Sequence, residues 1–152
     1  PLSIACNPFL RDYLQRRARL DGEAASRARH LRAAQAYEAR QDLAAAVGHA
    51  VAAGQAETAA RMIEDHGALR LIASAGIGRI SLMLAPLPPA LRHGRPRLRL
   101  MRIAYLLTEN NAPEASGDLE RLRADLRRGE AGTPYERLAG DGRFQLEFAL
   151  VE

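Results

Sequence analysis

Apolar positions along this chain recur with a period between three and four. His30, Ala33, Ala34 and Tyr37 stand at i, i+3, i+4 and i+7, the spacing that lines one face of a helix. Leu43, Ala46, Val47 and Ala50 repeat that template, and so do Ala56, Ala59, Ala60 and Ile63. Ile80, Met83, Leu84 and Leu87 follow, then Leu100, Ile103, Ala104 and Leu107. Five matches to one template predict helix after helix rather than strands.

The breaks between these runs are as regular as the runs. Asn7-Pro8 predicts an N-cap followed by proline at the first helical position, where a missing N–H costs nothing. Phe9, Leu10, Tyr13 and Leu14 give that first helix a sticky face, and Gly22 separates it from the next. Asp42 is expected to cap after the Gln41-Asp42 turn. Gly54, Gly67 and Gly94 stand where left-handed C-terminal caps are expected. Pro86, Pro88 and Pro89 are expected to end the fifth helix and Arg95-Pro96 to start the sixth. Asn111-Ala112-Pro113 should open another, carrying Ala115, Leu119, Leu122 and Leu126. Gly129 to Thr133 predicts a loop, Thr133-Pro134 a new start, and Phe144, Phe148 and Val151 a final helix. Leu2 to Cys6 is a short apolar run, a strand or the end of a loop.

Connections of two to eight residues imply antiparallel neighbours. Ala36-Tyr37 recurs as Ala104-Tyr105, an offset of 105 − 37 = 68, twice the ~34-residue tetratricopeptide period. The fold class predicted is therefore all-α, an array of antiparallel helical hairpins in a TPR-like right-handed superhelix. Composition agrees: 30 of the 152 residues are Ala and 22 are Arg, with no Lys and no Trp. Both residues favour helix. With 47% apolar residues the chain can build a core, and no run approaches the ~18 apolar residues of a membrane span.

Charge is divided unevenly along the chain. Between Asp65 and Glu109 there is no acidic residue but there are seven arginines: Arg70, Arg79, Arg92, Arg95, Arg97, Arg99 and Arg102. The remaining 15 Arg face 18 acids, so the net +4 is +7 minus 3. Such a segment suits an acidic partner, another domain or a phosphate backbone. Arg79, Arg92, Arg95, Arg97, Arg99 and Arg102 are the candidate partner contacts, with a solvated surface as the plainer alternative.

Catalytic chemistry finds no foothold. The histidines His30, His49, His66 and His93 form no metal-binding pair at helical spacing. His30 is expected in the core, and His49 and His66 near helix ends, where they suit the dipole. The single cysteine, Cys6, excludes a disulfide framework and has no basic neighbour to activate it. Gly76-Ile77-Gly78-Arg79 lacks the second glycine, Lys and Ser/Thr of a Walker loop. The carboxylates Asp21 and Glu23, or Glu64 and Asp65, cannot share a helical face. Asp118, Glu120, Arg121, Arg123, Asp125 and Arg127 predict a solvated helix with i,i+3 and i,i+4 ion pairs. A non-enzymatic role without a cofactor or metal is expected.

Several segments resemble one family. Asn7-Pro8-Phe9-Leu10-Arg11-Asp12-Tyr13-Leu14 resembles the stretch after the ATPase and winged-helix portion of the large ATP-binding LuxR-type regulators, the MalT-like family. His30-Leu31-Arg32-Ala33-Ala34 with Tyr37 is similar to the family's next helix. Asp42-Leu43 to Ala46, His49-Ala50 and Ala53-Gly54 are similar to the hairpin after it. Leu71-Ile72, Gly78, Leu84, Leu87-Pro88 and Arg95-Pro96-Arg97-Leu98 continue the pattern, which covers most of residues 7–128. Asn7 stands where the family commonly has His, and Gln41 where Gly usually precedes Asp.

The resemblance implies a fragment of a longer bacterial, cytoplasmic transcription regulator. Residues 1–22 would be the end of a winged-helix module with its linking helix, and 23–152 a TPR-like sensor domain. Its partners would be a small-molecule effector or regulatory protein, other domains of the same chain, and a second copy. Promoter DNA would be met only through a C-terminal domain outside these residues, and no membrane is implied. Two other readings stay open: a generic TPR-like interaction scaffold, and direct nucleic-acid binding through residues 79–102.

Overall fold

The computed structural model describes residues 7–20, 22–67, 70–71, 78–128, 138 and 140–151. Among them there is helix and no strand. In chain order the helices are α1 (Pro8–Leu20), α2 (Gly22–Ala39), α3 (Leu43–Ala52), α4 (Ala56–His66), α5 (Gly78–Leu84), α6 (Pro89–Gly94), α7 (Pro96–Thr108), α8 (Ala112–Arg128) and α9 (Gly142–Ala149). The run Leu2 to Cys6, the residues Asp21, Gly76 and Ile77, and the loop and start expected over 129–134 lie outside the described residues.

Most starts and faces follow the sequence pattern. The Asn7 Oδ1 accepts from the Phe9 N–H at 2.9 Å, and Asp42 caps the Ala45 N–H at 3.3 Å. Leu43, Ala46, Val47 and Ala50 are buried on α3, as are Ala59, Ala60 and Ile63 on α4. Proline opens both α6 and α7, at Pro89 and Pro96. The proline-rich stretch thus does more than end a helix, because Pro89 at the first position starts a short one that leads into α7.

Three helix ends close in the same way. At the end of α2, the Asp42 N–H reaches back to the Tyr37 carbonyl at 3.0 Å and the Gln41 N–H to Glu38 at 2.9 Å. The same two bonds recur at α3 (Gln55 to Ala50, Gly54 to Val51) and at α7 (Asn111 to Leu106, Asn110 to Leu107). This is the Schellman motif, and its penultimate residue must take a positive φ. Gln41 has φ 61°, Gly54 78° and Asn110 57°. Gln41 therefore sits in the backbone region that glycine occupies most easily.

Two expectations are corrected by these turns. Gly94 does not take a left-handed conformation: it is the last residue of α6, and Arg95 continues extended into α7. The 68-residue recurrence also misses the structural register. Tyr37 corresponds to Leu106 in the turn hydrogen bonds, an offset of 106 − 37 = 69, so Tyr105 is not the equivalent of Tyr37.

The core has two clusters that meet on α7. The first joins Ala34, Leu43, Val47, Ile63, Ile80, Met83 and Leu87 to Leu98 and Met101 of α7. The second joins Leu100, Ile103 and Leu106 of α7 to Ala115, Leu119, Leu122, Leu138 and Phe144. Because α7 contacts α4, α5, α6, α8 and α9, it is buried nearly all round. Leu107, expected on its inner face, is exposed, and Leu106 takes the buried place. At the other end α1 packs on α2 but leaves Phe9, Leu10, Tyr13 and Leu14 exposed.

Candidate functional site: an ion-paired cleft beside α7

An arginine-rich helix at the centre of the core must either neutralise its charges or leave them at the surface. The acid-free segment is answered by acids from elsewhere in the chain. Arg95, at the N-cap of α7, bridges Glu57 and Glu64 on α4, its Nη1 lying 2.5 Å from Glu64 Oε2. Arg97 pairs with Asp141 at the start of α9. Arg99, only 8% exposed, pairs with Asp125 on α8, and Arg102 with Glu114 and Asp118. Of the six candidate contacts, these four are intramolecular ties that clamp α4, α8 and α9 onto α7. Arg92 is half-buried and its Nε finds no hydrogen-bond partner, while Arg79 is exposed on α5.

These ties perturb the acids in different directions. Burial raises the Glu64 carboxyl above its ordinary value, against the lowering field and hydrogen bond of Arg95. The hydrogen bond from Arg99 holds Asp125 below the usual carboxylate range, with Arg128 adding to it. Asp141 is also lowered, first by the Phe144 N–H that it caps at 3.0 Å and then by Arg97. Arg95 is disfavoured by burial, but its hydrogen bonds and Coulomb attraction to Glu57 and Glu64 raise it further into the charged form. His93 is lowered by burial and by the fields of Arg102, Arg92, Arg99 and Arg121.

Beside this network lies a cleft of about 770 Å³ between α4, α6, the start of α7 and α9. Arg61, Arg95, Arg97 and Arg143 line it together with Glu57, Glu64 and Asp65, over an apolar floor that includes Leu91, Pro96 and Leu138. Arg61 reaches only the Thr58 hydroxyl, at 3.3 Å, and has no carboxylate partner among the described residues. Arg143 donates to the His66 carbonyl at 2.7 Å and to that of Asp65 at 3.4 Å, closing the C-terminal end of α4. Its Nε stands 3.5 Å from buried Glu147, a distance without hydrogen-bond geometry. The volume of the cleft is of the order a small ligand fills, and its wall offers both signs of charge.

The other candidates stay dispersed, with one exception. Among the described residues no group of three or more His, Cys, Asp or Glu could hold a metal. The acids and arginines of α8 form the expected Arg121–Asp118 and Arg123–Glu120 pairs, while Asp125 pairs with Arg128, outside the expected set. His49 lies in the last turn of α3, as expected, and also meets His30 across the α2–α3 interface, their Nδ1 atoms 2.9 Å apart. Residue spacing on a single helix cannot show a pair 19 positions apart. Their near-symmetric placement about the turn at Arg40 and Gln41 was the available signal, since residues equidistant from a hairpin turn face each other.

No helix of the described residues is long and apolar enough to cross a membrane. No family model, curated protein or solved structure matches the chain.

Proposed function

We propose that this chain is a non-catalytic signal-sensing and protein-interaction region of a bacterial MalT-like, ATP-dependent LuxR-type regulator. Its hairpins would follow one another as a TPR-like superhelix. A small-molecule effector or regulatory protein bound to it biases activation of a DNA-binding domain outside these residues. The observation that carries the reading is the cleft, because the ion pairs along its wall are also the clamps between helices. Glu57, two-thirds exposed, is the partner of Arg95 that a ligand most easily displaces, whereas Glu64 is largely covered. A ligand that takes the place of Glu57 loosens α4 from α7 and shifts the population between closed and open forms. Each 1.4 kcal/mol of preference for one form shifts the ratio about tenfold.

Direct nucleic-acid binding through residues 79–102 has less support, since Arg95, Arg97, Arg99 and Arg102 already hold acids. A generic TPR-like scaffold uses the same cleft without any link to transcription. The full reading frame separates the two: a Walker A loop upstream and a helix-turn-helix downstream are expected. On that full-length protein, Glu57→Gln should shift the effector concentration for promoter binding. Neither module in the frame, or a Glu57→Gln response identical to wild type, refutes the reading.

A further inference from the structure

The interface between α2 and α3 holds a pair of groups for which the cleft has no use. His30 Nδ1 and His49 Nδ1 lie 2.9 Å apart in a half-buried setting, with ring centroids at 5.1 Å. Tyr37 stacks on His49 at 5.4 Å with the rings 10° from parallel. A contact of 2.9 Å between two imidazole nitrogens needs one Nδ1–H donor and one bare Nδ1 acceptor. Two neutral rings meet that demand, and so does a pair carrying one added proton. A pair carrying two does not, because the second proton occupies the accepting nitrogen and faces its neighbour's N–H across the same gap.

Among the described residues, the surroundings supply no anion to absorb that second charge. Between Leu43 and Ala52, α3 has no Asp, Glu or Arg, and the Asp42 carboxylate caps the Ala45 N–H. On α2, Glu23 is paired with Arg27, Arg32 and Glu38 are exposed, and Arg29 is half-buried. On α1 the charged Arg11, Asp12, Arg16 and Arg17 are exposed, as is Arg79 on α5. On α4, Glu57 and Glu64 hold Arg95, Arg61 holds Thr58, Asp65 is exposed, and His66 is half-buried at the last turn, where its carbonyl accepts from Arg143. No ion pair joins either ring to any of them.

The rest of the interface is broad, but α2 builds its side of it from small residues. Ala34 is the one fully buried side chain of α2, and Ala33, His30 and Tyr37 make up much of the remaining face. Small residues let the helices approach closely but contribute little apolar area of their own. On the α2 side His30 and Tyr37 therefore supply the ring contacts of the docking surface, and α1 packs on α2.

We infer that the His30–His49 pair is a proton-operated latch: α2 is docked on α3 while the pair holds at most one added proton, and it is released when both rings are protonated. Histidine is the side chain whose charge changes between pH 5 and 8. The docked state excludes one proton that the open state accepts, so the open fraction of α2 rises as pH falls through the range in which histidine takes up its charge. The sign follows from linkage: the open form binds more protons, so docking weakens as pH falls.

The test is amide hydrogen exchange of the whole chain from pH 8 to pH 5, corrected for intrinsic exchange. Protection in α2 is expected to fall at least tenfold relative to α7, and His30→Gln and His49→Gln are each expected to abolish that pH dependence. Unchanged α2 protection in the wild-type chain overturns the latch, as does a pH-dependent loss that persists in both variants. The wild-type imidazole resonances give a measure that needs no variant to fold. One ring should titrate alone and the other together with α2 opening, whereas two independent single-site curves refute the coupling.

Discussion

Truncating Phe144 to alanine asks whether α7 makes one cooperative unit of the two core clusters. The Phe144 ring is fully buried against the second cluster and lies 6.0 Å from the Phe148 ring. A buried aromatic removes about 150–250 Å² from water, and alanine retains only part of that. The forfeited area, roughly 100–150 Å², is worth about 2.5–4 kcal/mol at ~25 cal/mol per Å². An incompletely collapsed cavity adds to this, in keeping with the ~3–5 kcal/mol typical of Phe→Ala. With a urea slope of about 2 kcal/mol per M, a loss of about 4 kcal/mol lowers the midpoint by about 2 M. The assay is far-UV circular dichroism in urea, joined to hydrogen exchange of α3, which contributes to the first cluster only. Because Leu98 and Met101 face one cluster and Leu100, Ile103 and Leu106 the other, α3 protection should fall with the global midpoint. A midpoint shift below about 0.5 M with α3 protection intact refutes the coupling, for α9 would then open alone.

Other consequences follow from the turns and the clamps. Gln41→Gly should stabilise the chain by about 0.5–1 kcal/mol, since the left-handed strain removed exceeds the entropy glycine loses on folding; a lower melting temperature would show the turn to be unstrained. Asp141→Ala removes both the cap on Phe144 and the tie to Arg97, at about 1–2 kcal/mol, and the amides of α9 should lose protection first. Asp125 and Asp141 titrate below their ordinary value of 3.8, so the folded state binds those protons less readily than the unfolded one. Their stabilisation is complete above that value and vanishes as pH falls through the lower folded values. Glu64 runs the other way: raised above 4.5, it contributes below that pH and its contribution is lost as pH rises through the folded value. Urea midpoints from pH 2 to pH 6 should therefore lose their acid limb in Asp125→Asn/Asp141→Asn, and Glu64→Gln should remove the decline above pH 4.5.

The helices and most of their starts were legible because they depend on neighbours within a few residues. A 3.6-residue period marks the buried face of α3, and a proline at a first turn or an Asn or Asp before it marks a boundary wherever the chain later packs. The short α6 was missed because three prolines mark a stop as readily as a start. Gln41 took a glycine's backbone because the Schellman turn demands a positive φ from whichever residue stands there.

What the sequence determined alone is local: an all-helical chain, its alanine-lined contact faces and its uneven charge. The tertiary structure decided which charges meet. Arg95, Arg97, Arg99 and Arg102 form an acid-free stretch in sequence, yet their partners lie 12 to 44 residues away on α4, α8 and α9. A charge brought near a low-dielectric core must find a counter-charge there, and only the packing of α7 at the centre shows which acid is within reach. The two histidines follow the same logic. Nineteen residues separate them along the chain and one hydrogen bond in space, because a three-residue turn folds their helices onto each other.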